Sequence, residues 1–187
     1  MLQSDETLAR NIQQGHTEDL TSLVERYHGP LLGYLYRLTY GDGPLAEDLV
    51  QEAFFRALRQ IDQYRYPQRF KPWLYAIATN LARDHYKRLS TRQTRVMTDA
   101  MYEYPDSNPG RSPEAVALVQ DEVAQVKSVL TALPDHQREV VLLRYIEEMS
   151  LAEISETLSV PVGTVKSRLS LGLKRMRMLL AEEETDA

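Results

Sequence analysis

Apolar residues recur at helical spacing along nearly the whole chain, and no stretch alternates as a half-buried strand would. That periodicity confines the chain to an all-α fold. It predicts helices over residues 5–14, 17–38, 44–61, 71–89, 113–132, 135–147, 150–158 and 161–181. Local chemistry supports several boundaries. Pro44 closes a Gly-Asp-Gly-Pro turn, and its fixed φ suits a first helical turn. Ser112-Pro113-Glu114 offers an N-cap, a first-turn proline and an early anion. Ser150 and Glu153 have the spacing of a capping box. The pattern fails between Arg92 and Ser112, where "TDAMYEYPDSNPGRSP" holds three prolines and a glycine. The expected architecture is therefore two small helical domains, 1–92 and 113–187, joined by a flexible linker at 93–112.

Cysteine is absent, so neither a disulfide framework nor a thiolate metal site is available. The first residues, "MLQSDETLARNIQQG", lack the basic-then-apolar order of a signal peptide. No apolar run approaches the ~20 residues of a membrane span. A soluble cytoplasmic protein without membrane insertion is expected.

The net charge of -5 hides a split. Residues 1–95 hold 13 Lys/Arg and 11 Asp/Glu, and residues 96–187 hold 9 and 16. Two basic islands stand out: Arg65 to Arg95 has eight cations and one anion, and Gly163 to Arg177 has five cations and no anion. Two such islands in an acidic chain suit two contacts with a polyanion, because local charge governs phosphate binding. Two solvated helix faces would give the same pattern.

In "LAEISETLSVPVGTVKSRLSLGLKRM", Leu151 to Met176, Leu151, Ile154 and Leu158 share one face of a short helix. Ser159 to Gly163 makes a break, with Pro161 suited to a helix start. On the second helix Val162, Val165, Leu169 and Leu173 form the expected buried stripe. Thr164, Lys166, Ser167, Arg168, Leu171, Lys174 and Arg175 are left for the outer faces. This is the layout of a helix-turn-helix, whose second helix enters the major groove. The preceding segment, "DHQREVVLLRYIEEM", supplies Val140, Val141, Leu142, Leu143 and Tyr145 to pack beneath the pair. A plain helical hairpin with a solvated basic end is the alternative.

Two features of the first domain lie outside simple core patterning. On the helix Leu45 to Ile61, the residues Ala46, Leu49, Val50, Ala53, Phe54, Ala57, Leu58 and Ile61 fill a core face. Phe55 falls on the opposite face, among Asp48, Gln51, Glu52 and Arg59. An ordered polar row around one aromatic suits a partner with cations and one apolar pocket, or it is a solvated face. Next, Tyr64, Tyr66, Phe70, Trp73 and Tyr75 interleave with Arg65, Arg69 and Lys71. Rings that stack bases and cations that pair phosphates are what single-stranded nucleic acid requires. Tyr64, Tyr66 and Phe70, in a proline-bounded loop, are the better contact candidates; Trp73, Ile77 and Leu81 share a stripe expected to be partly core. Asn80, Arg83, Asp84, Lys87 and Arg88 form a polar, mainly basic face on the following helix, with Asn80 suited to a base edge.

Together, "AEDLVQEAFFRAL", "FKPWLYAIATNLARDHYKR" and "LPDHQREVVLLRYIEEMSLAEISETLSVPVGTVKSRL" resemble the bacterial sigma factors of the extracytoplasmic function group, in order and spacing. The resemblance covers nearly the whole chain except the linker. It implies sigma regions 2 and 4, a core RNA polymerase partner and promoter DNA as ligand. Asp48, Gln51, Glu52 and Phe55 match the polymerase-docking helix. Tyr64, Arg65, Tyr66, Phe70, Lys71, Trp73, Asn80, Arg83, Lys87 and Arg88 fall in the part that recognises and opens the −10 element, where a base is flipped into a protein pocket. Thr164, Lys166, Ser167, Arg168, Leu171, Lys174 and Arg175 fall on the helix that reads the −35 duplex. The family also implies an anti-sigma factor that masks the polymerase-binding surfaces, and a free protein that is a monomer. The chain departs from the family after Ser167-Arg168-Leu169: two usual cations are missing, and Gly172 should weaken its helix by about 1 kcal/mol relative to Ala. Ser159 stands at a turn position often held by glycine.

Two rivals belong to other classes. A stand-alone helix-turn-helix repressor would account for the second domain only. An enzyme would need a phosphate loop or a nucleophile arrangement, and neither is found. His16, His28, His85 and His136 are scattered without ligand spacing, so no metal and no cofactor are expected.

Overall fold

The computed structural model describes residues 3–92 and 126–186. The linker expected at 93–112 and the Ser112-Pro113-Glu114 cap lie outside them. All regular structure among the described residues is helical. The first domain holds α1 (Asp5–Gln13), α2 (Asp19–Leu38), α3 (Gly43–Arg59) and α4 (Phe70–Arg92), with one 3-10 turn at Ile61–Gln63. The second holds α5 (described at 126–131), α6 (Asp135–Tyr145), α7 (Leu151–Leu158) and α8 (Val162–Asp186).

Helix starts follow from side chains that satisfy otherwise orphaned amides. The Ser4 hydroxyl accepts from the Thr7 amide, and the Asp42 carboxylate accepts from the Leu45 amide. Asp42, rather than the proline, therefore fixes the start of α3, with Pro44 in its first turn. At α7 the capping box is complete: the Ser150 amide donates to Glu153 Oε2 at 2.9 Å and the Glu153 amide to Ser150 Oγ at 3.2 Å. The turn after α7 places Ser159 in the left-handed region, at φ 53. α6 stops at Tyr145, two residues earlier than expected, and Glu148 beyond it also has positive φ.

In the first domain α2 and α4 both pack on α3, and α1 packs on α2. Leu23, Leu31, Leu35 and Leu74 are fully buried there, and each such leucine contributes about 1.5–3 kcal/mol by leaving water. The patterning of α3 is observed largely as expected. Ala46, Leu49, Val50, Ala53, Ala57 and Ile61 are buried, while Phe54 and Leu58 are half-buried against them.

In the second domain α6 packs on α8, and α7 on α8. Val165 of α8 is buried, and Leu169 is partly buried against the same core. Val162 departs from the expected stripe at 38% exposure, because it is the first residue of α8 and its side chain precedes the packed turns. Tyr145 does not pack beneath the pair either; it is 55% exposed at the end of α6, where Val140 to Leu143 already fill the inner faces.

The two domains meet. α4 lies on α7, α2 lies on α6, and the buried apolar residues of both domains form one continuous cluster. Arg138 to Leu143, six successive residues, are all buried, which an ordinary surface helix cannot achieve. α6 is covered on one side by α8 and on another by the first domain.

Candidate nucleic-acid interface

On α3, Asp48, Gln51, Phe55 and Arg59 are exposed as their helical positions dictate. Phe55 is 59% exposed, the largest value among the exposed large apolar side chains of the described residues. Glu52 is partly withdrawn from this row: it pairs with Arg56 Nε at 2.8 Å, one helical turn away.

The loop before α4 folds back on the domain. The Gln13 side-chain amide donates to the Ile61 carbonyl at 2.6 Å and to the Tyr64 carbonyl at 2.7 Å. The Tyr64 hydroxyl donates to the Gln68 carbonyl within the loop. These bonds draw Tyr64 inward, where its ring meets Phe70 and Trp73 at centroid distances of 5.9 and 5.4 Å. Phe70 also meets Tyr27 at 5.7 Å. Tyr64 and Phe70 are consequently 3% and 2% exposed. The expectation that both present open faces to a base is corrected: they are core rings. Burial pushes the Tyr64 hydroxyl up to about 12, with Glu6 and Asp5 adding to it.

Tyr66 remains outside at 47% exposure, with the Arg10 guanidinium 4.9 Å over its ring. Trp73 is half-buried, and Arg65 and Asn80 are exposed. Lys87 and Arg88 are exposed on the last turns of α4. An exposed aromatic, a half-buried indole and cations on one loop-helix unit can stack a base and pair phosphates.

Two expected DNA-facing cations have partners in the second domain. Arg83 Nε and Nη2 donate to the two Glu139 carboxylate oxygens at 2.6 and 2.5 Å. This two-point geometry is the strongest form of Arg–carboxylate pairing. It raises the Arg83 pKa, through the hydrogen bond to Glu139, which outweighs partial desolvation. Lys71 Nζ lies 3.1 Å from Glu147 Oε2 and donates to the Glu147 carbonyl at 2.7 Å. Tyr75, fully buried, donates its hydroxyl to the same carboxylate at 2.5 Å.

A third contact joins Tyr40 to α6. The Arg138 guanidinium stacks on the Tyr40 ring at 3.8 Å, and the Tyr40 hydroxyl donates to Asp135 at 2.7 Å. Tyr40 takes φ 60 to reach this position, a conformation that costs an L-residue about 1–2 kcal/mol.

Sequence reasoning missed Glu139, Glu147 and Tyr40. Charged side chains on a polar-looking helix read as solvated, and the available sign was the four-residue run Val-Val-Leu-Leu, which marks a helix covered on more than one side.

On the second basic island, Lys166, Ser167, Leu171, Lys174 and Arg175 are exposed, and Thr164 and Arg168 are half-exposed, around the buried Val165. The Ser167 hydroxyl donates to the Thr164 carbonyl at 3.0 Å. Among the described residues no cluster of His, Asp or Glu could hold a metal ion, and no helix is long and apolar enough to cross a membrane.

Residues 23–92 match the family model for sigma-70 region 2, and residues 124–176 match that for sigma-70 region 4. The ECF RNA polymerase sigma factor SigW of Bacillus subtilis is 33% identical over 181 residues, covering 92% of this chain and 95% of that protein. The chain belongs to the sigma-70 family, in its extracytoplasmic function group. The ECF sigma-E factor of Escherichia coli K12 is also similar, 31% identical over 172 residues, with 89% of this chain and 88% of that one covered. A solved structure of CnrH in complex with the cytosolic domain of CnrY resembles this fold with a TM-score of 0.71 and 25% identity, covering 96% of this chain and 99% of that one. As a sigma factor the protein serves promoter-specific transcription initiation as a specificity subunit of RNA polymerase and carries out no catalysis of its own.

Proposed function

We propose that this sigma factor holds core polymerase through α3, captures the unpaired −10 strand on the loop and outer face of α4, and reads the −35 duplex with α8. The polymerase contact is assigned to Phe55, Asp48 and Gln51, with Glu52 joining once released from Arg56. The −10 strand is assigned to Tyr66 and Trp73 for stacking, to Asn80 for a base edge and to Arg65, Lys71, Arg83, Lys87 and Arg88 for phosphates. Tyr64 and Phe70 act behind them, holding Trp73 in place. The −35 contact is assigned to Thr164, Lys166, Ser167, Arg168, Leu171, Lys174 and Arg175.

The observation that carries this reading is the helix-turn-helix of α7 and α8, with Lys166, Ser167, Lys174 and Arg175 exposed on one basic helix. The exposed start of α8 at Val162 suits insertion of the helix's N-terminal end into a groove. Binding energy then favours the melted promoter, because the strand contacts exist only when the strand is free. The protein works as a monomer in the compartment that holds polymerase. An anti-sigma partner is further proposed, since the similar CnrH is described in complex with CnrY.

Reconstitution with purified core polymerase tests the proposal. Selection from a random promoter library should return a bipartite motif, and Lys166→Ala with Arg168→Ala should relax the −35 half only. Loss of the −10 half instead, or no initiation at all, would overturn the assignment.

A further inference from the structure

α1 lies ahead of residues 23–92, the stretch matched to sigma-70 region 2, yet it meets the loop before α4 at three points. Gln13 is the last residue of α1, and its Nε2 donates to the Ile61 carbonyl at 2.6 Å and to the Tyr64 carbonyl at 2.7 Å. A side-chain amide has two N–H donors, and both go to the loop backbone. The third point is the Arg10 guanidinium, 4.9 Å over the Tyr66 ring. α1 is itself anchored at its other end and along one face. Leu8, Ala9 and Ile12 are buried, and Asp5 accepts hydrogen bonds from Arg26 Nη1 and from the Tyr27 hydroxyl, each at 2.5 Å. The loop is less enclosed: residues 65–69 are all exposed, between buried Tyr64 and Phe70. The Tyr64 carbonyl belongs to the planar peptide that leads into Arg65, so its orientation sets the direction in which Arg65 and Tyr66 leave the domain.

We propose that Gln13 is a positioning residue for −10 recognition: it clamps the backbone from which Arg65 and Tyr66 reach the unpaired strand, and so sets base selectivity without touching DNA. The inference rests on the −10 reading of Tyr66 and Asn80 and adds the element that makes it selective. Stacking on Tyr66 tolerates any base. Discrimination requires the stacked base to stand at one angle to a polar group such as Asn80, and a site of this kind works only when its members are held to about 10–20°. The loop fixes where Tyr66 stands, and Gln13 fixes the loop. A loop held in its bound shape also loses less freedom when the strand arrives. Phosphate pairing is less demanding, because a cation on a flexible stem reaches a charge from many directions. Release of the clamp therefore weakens selectivity more than general affinity for single strands.

The test uses the full chain bound to core polymerase and two labelled single-stranded DNA oligonucleotides. One carries the −10 sequence that promoter selection returns, and the other has the same bases scrambled. The readout is the ratio of the two affinities. A variant that merely folds less well lowers both affinities by its competent fraction and leaves the ratio unchanged. Gln13→Leu, similar in size but without donors, should lower the ratio about tenfold, mainly through weaker binding of the −10 sequence. Gln13→Glu, the same shape with an oxygen facing the two carbonyls, should do the same and covers the case in which the leucine variant does not fold; its added charge acts on both oligonucleotides alike. Tyr66→Ala separates the two possible failures. If it weakens binding of the −10 sequence while a folded Gln13 variant keeps the ratio, or lowers both affinities equally, the positioning role alone is overturned. If Tyr66→Ala leaves the affinity for the −10 sequence unchanged, the −10 reading is overturned and the positioning role with it.

Discussion

A β-carbon at Gly172 would stand 3.1 Å from Val141 Cγ2 and 3.5 Å from Gln137 Cβ. The glycine on α8 therefore lies in close contact with α6. Gly172→Ala sets two effects against each other. Helix propensity gains about 1 kcal/mol, but the new methyl presses on a β-branched side chain that is 4% exposed and has little freedom to turn. Overpacking of this kind costs about 1–3 kcal/mol. Gly172→Ala should lower stability by about 1 kcal/mol in denaturant unfolding. A gain in stability would mean that α6 and α8 can separate at no cost.

Ser159 occupies left-handed backbone at φ 53 and is exposed, with no side-chain hydrogen bond required for the turn. Glycine adopts this conformation without strain but is more costly to order from the unfolded chain. Ser159→Gly should raise stability by about 0.5–1 kcal/mol, and Ser159→Val should lower it by at least as much. Thermal unfolding of the two variants checks the sign of each.

How much of this was legible beforehand depends on what each residue faces. The α3 stripe and the exposed Phe55 could be read from the sequence because that helix has one covered side and one open side. The capping box at Ser150 and Glu153 was legible because its chemistry lies within four residues. Tyr64 and Phe70 were misplaced because their partners are distant in sequence: Gln13 of α1 bonds the Tyr64 carbonyl and Tyr27 of α2 meets the Phe70 ring, contacts that no local pattern encodes. Glu139 and Glu147 were missed for the same kind of reason: their partners, Arg83 and Lys71, lie in the other domain. Gly172 was read as a weakness of its own helix, and the structure reveals a packing contact with α6.

Phe55 supplies the cleanest separation of stability from binding. Its ring is 59% exposed and belongs to no buried cluster, so Phe55→Ala should change folding stability by less than about 0.5 kcal/mol. Affinity for core polymerase should fall at least ~10-fold, as for a central aromatic anchor. Competition for core polymerase against a reference sigma factor, run beside chemical unfolding, reads both. An unchanged affinity would remove Phe55 from the docking face.

The buried tyrosines should make the fold sensitive to alkali. Burial raises the pKa of Tyr34, fully enclosed beside Thr79, and of Tyr75, where the Glu147 charge and hydrogen bond add to it. Both folded values lie above the unfolded value of about 10. The sign follows directly: the folded state retains a proton that the unfolded state releases. The stability these groups contribute is complete below about pH 10 and is lost as pH rises toward the folded values. Each adds a slope of about −1.4 kcal/mol per pH unit in that interval. Tyr34→Phe should therefore flatten the fall in stability above pH 10 by about 1.4 kcal/mol per unit. It should also lower stability near neutrality by about 1 kcal/mol, for the lost contact with Thr79 at 2.8 Å. Unfolding free energies measured along an alkaline series check both numbers, and parallel curves for the variant and the starting protein would show that Tyr34 ionises in the folded state as readily as in the unfolded one.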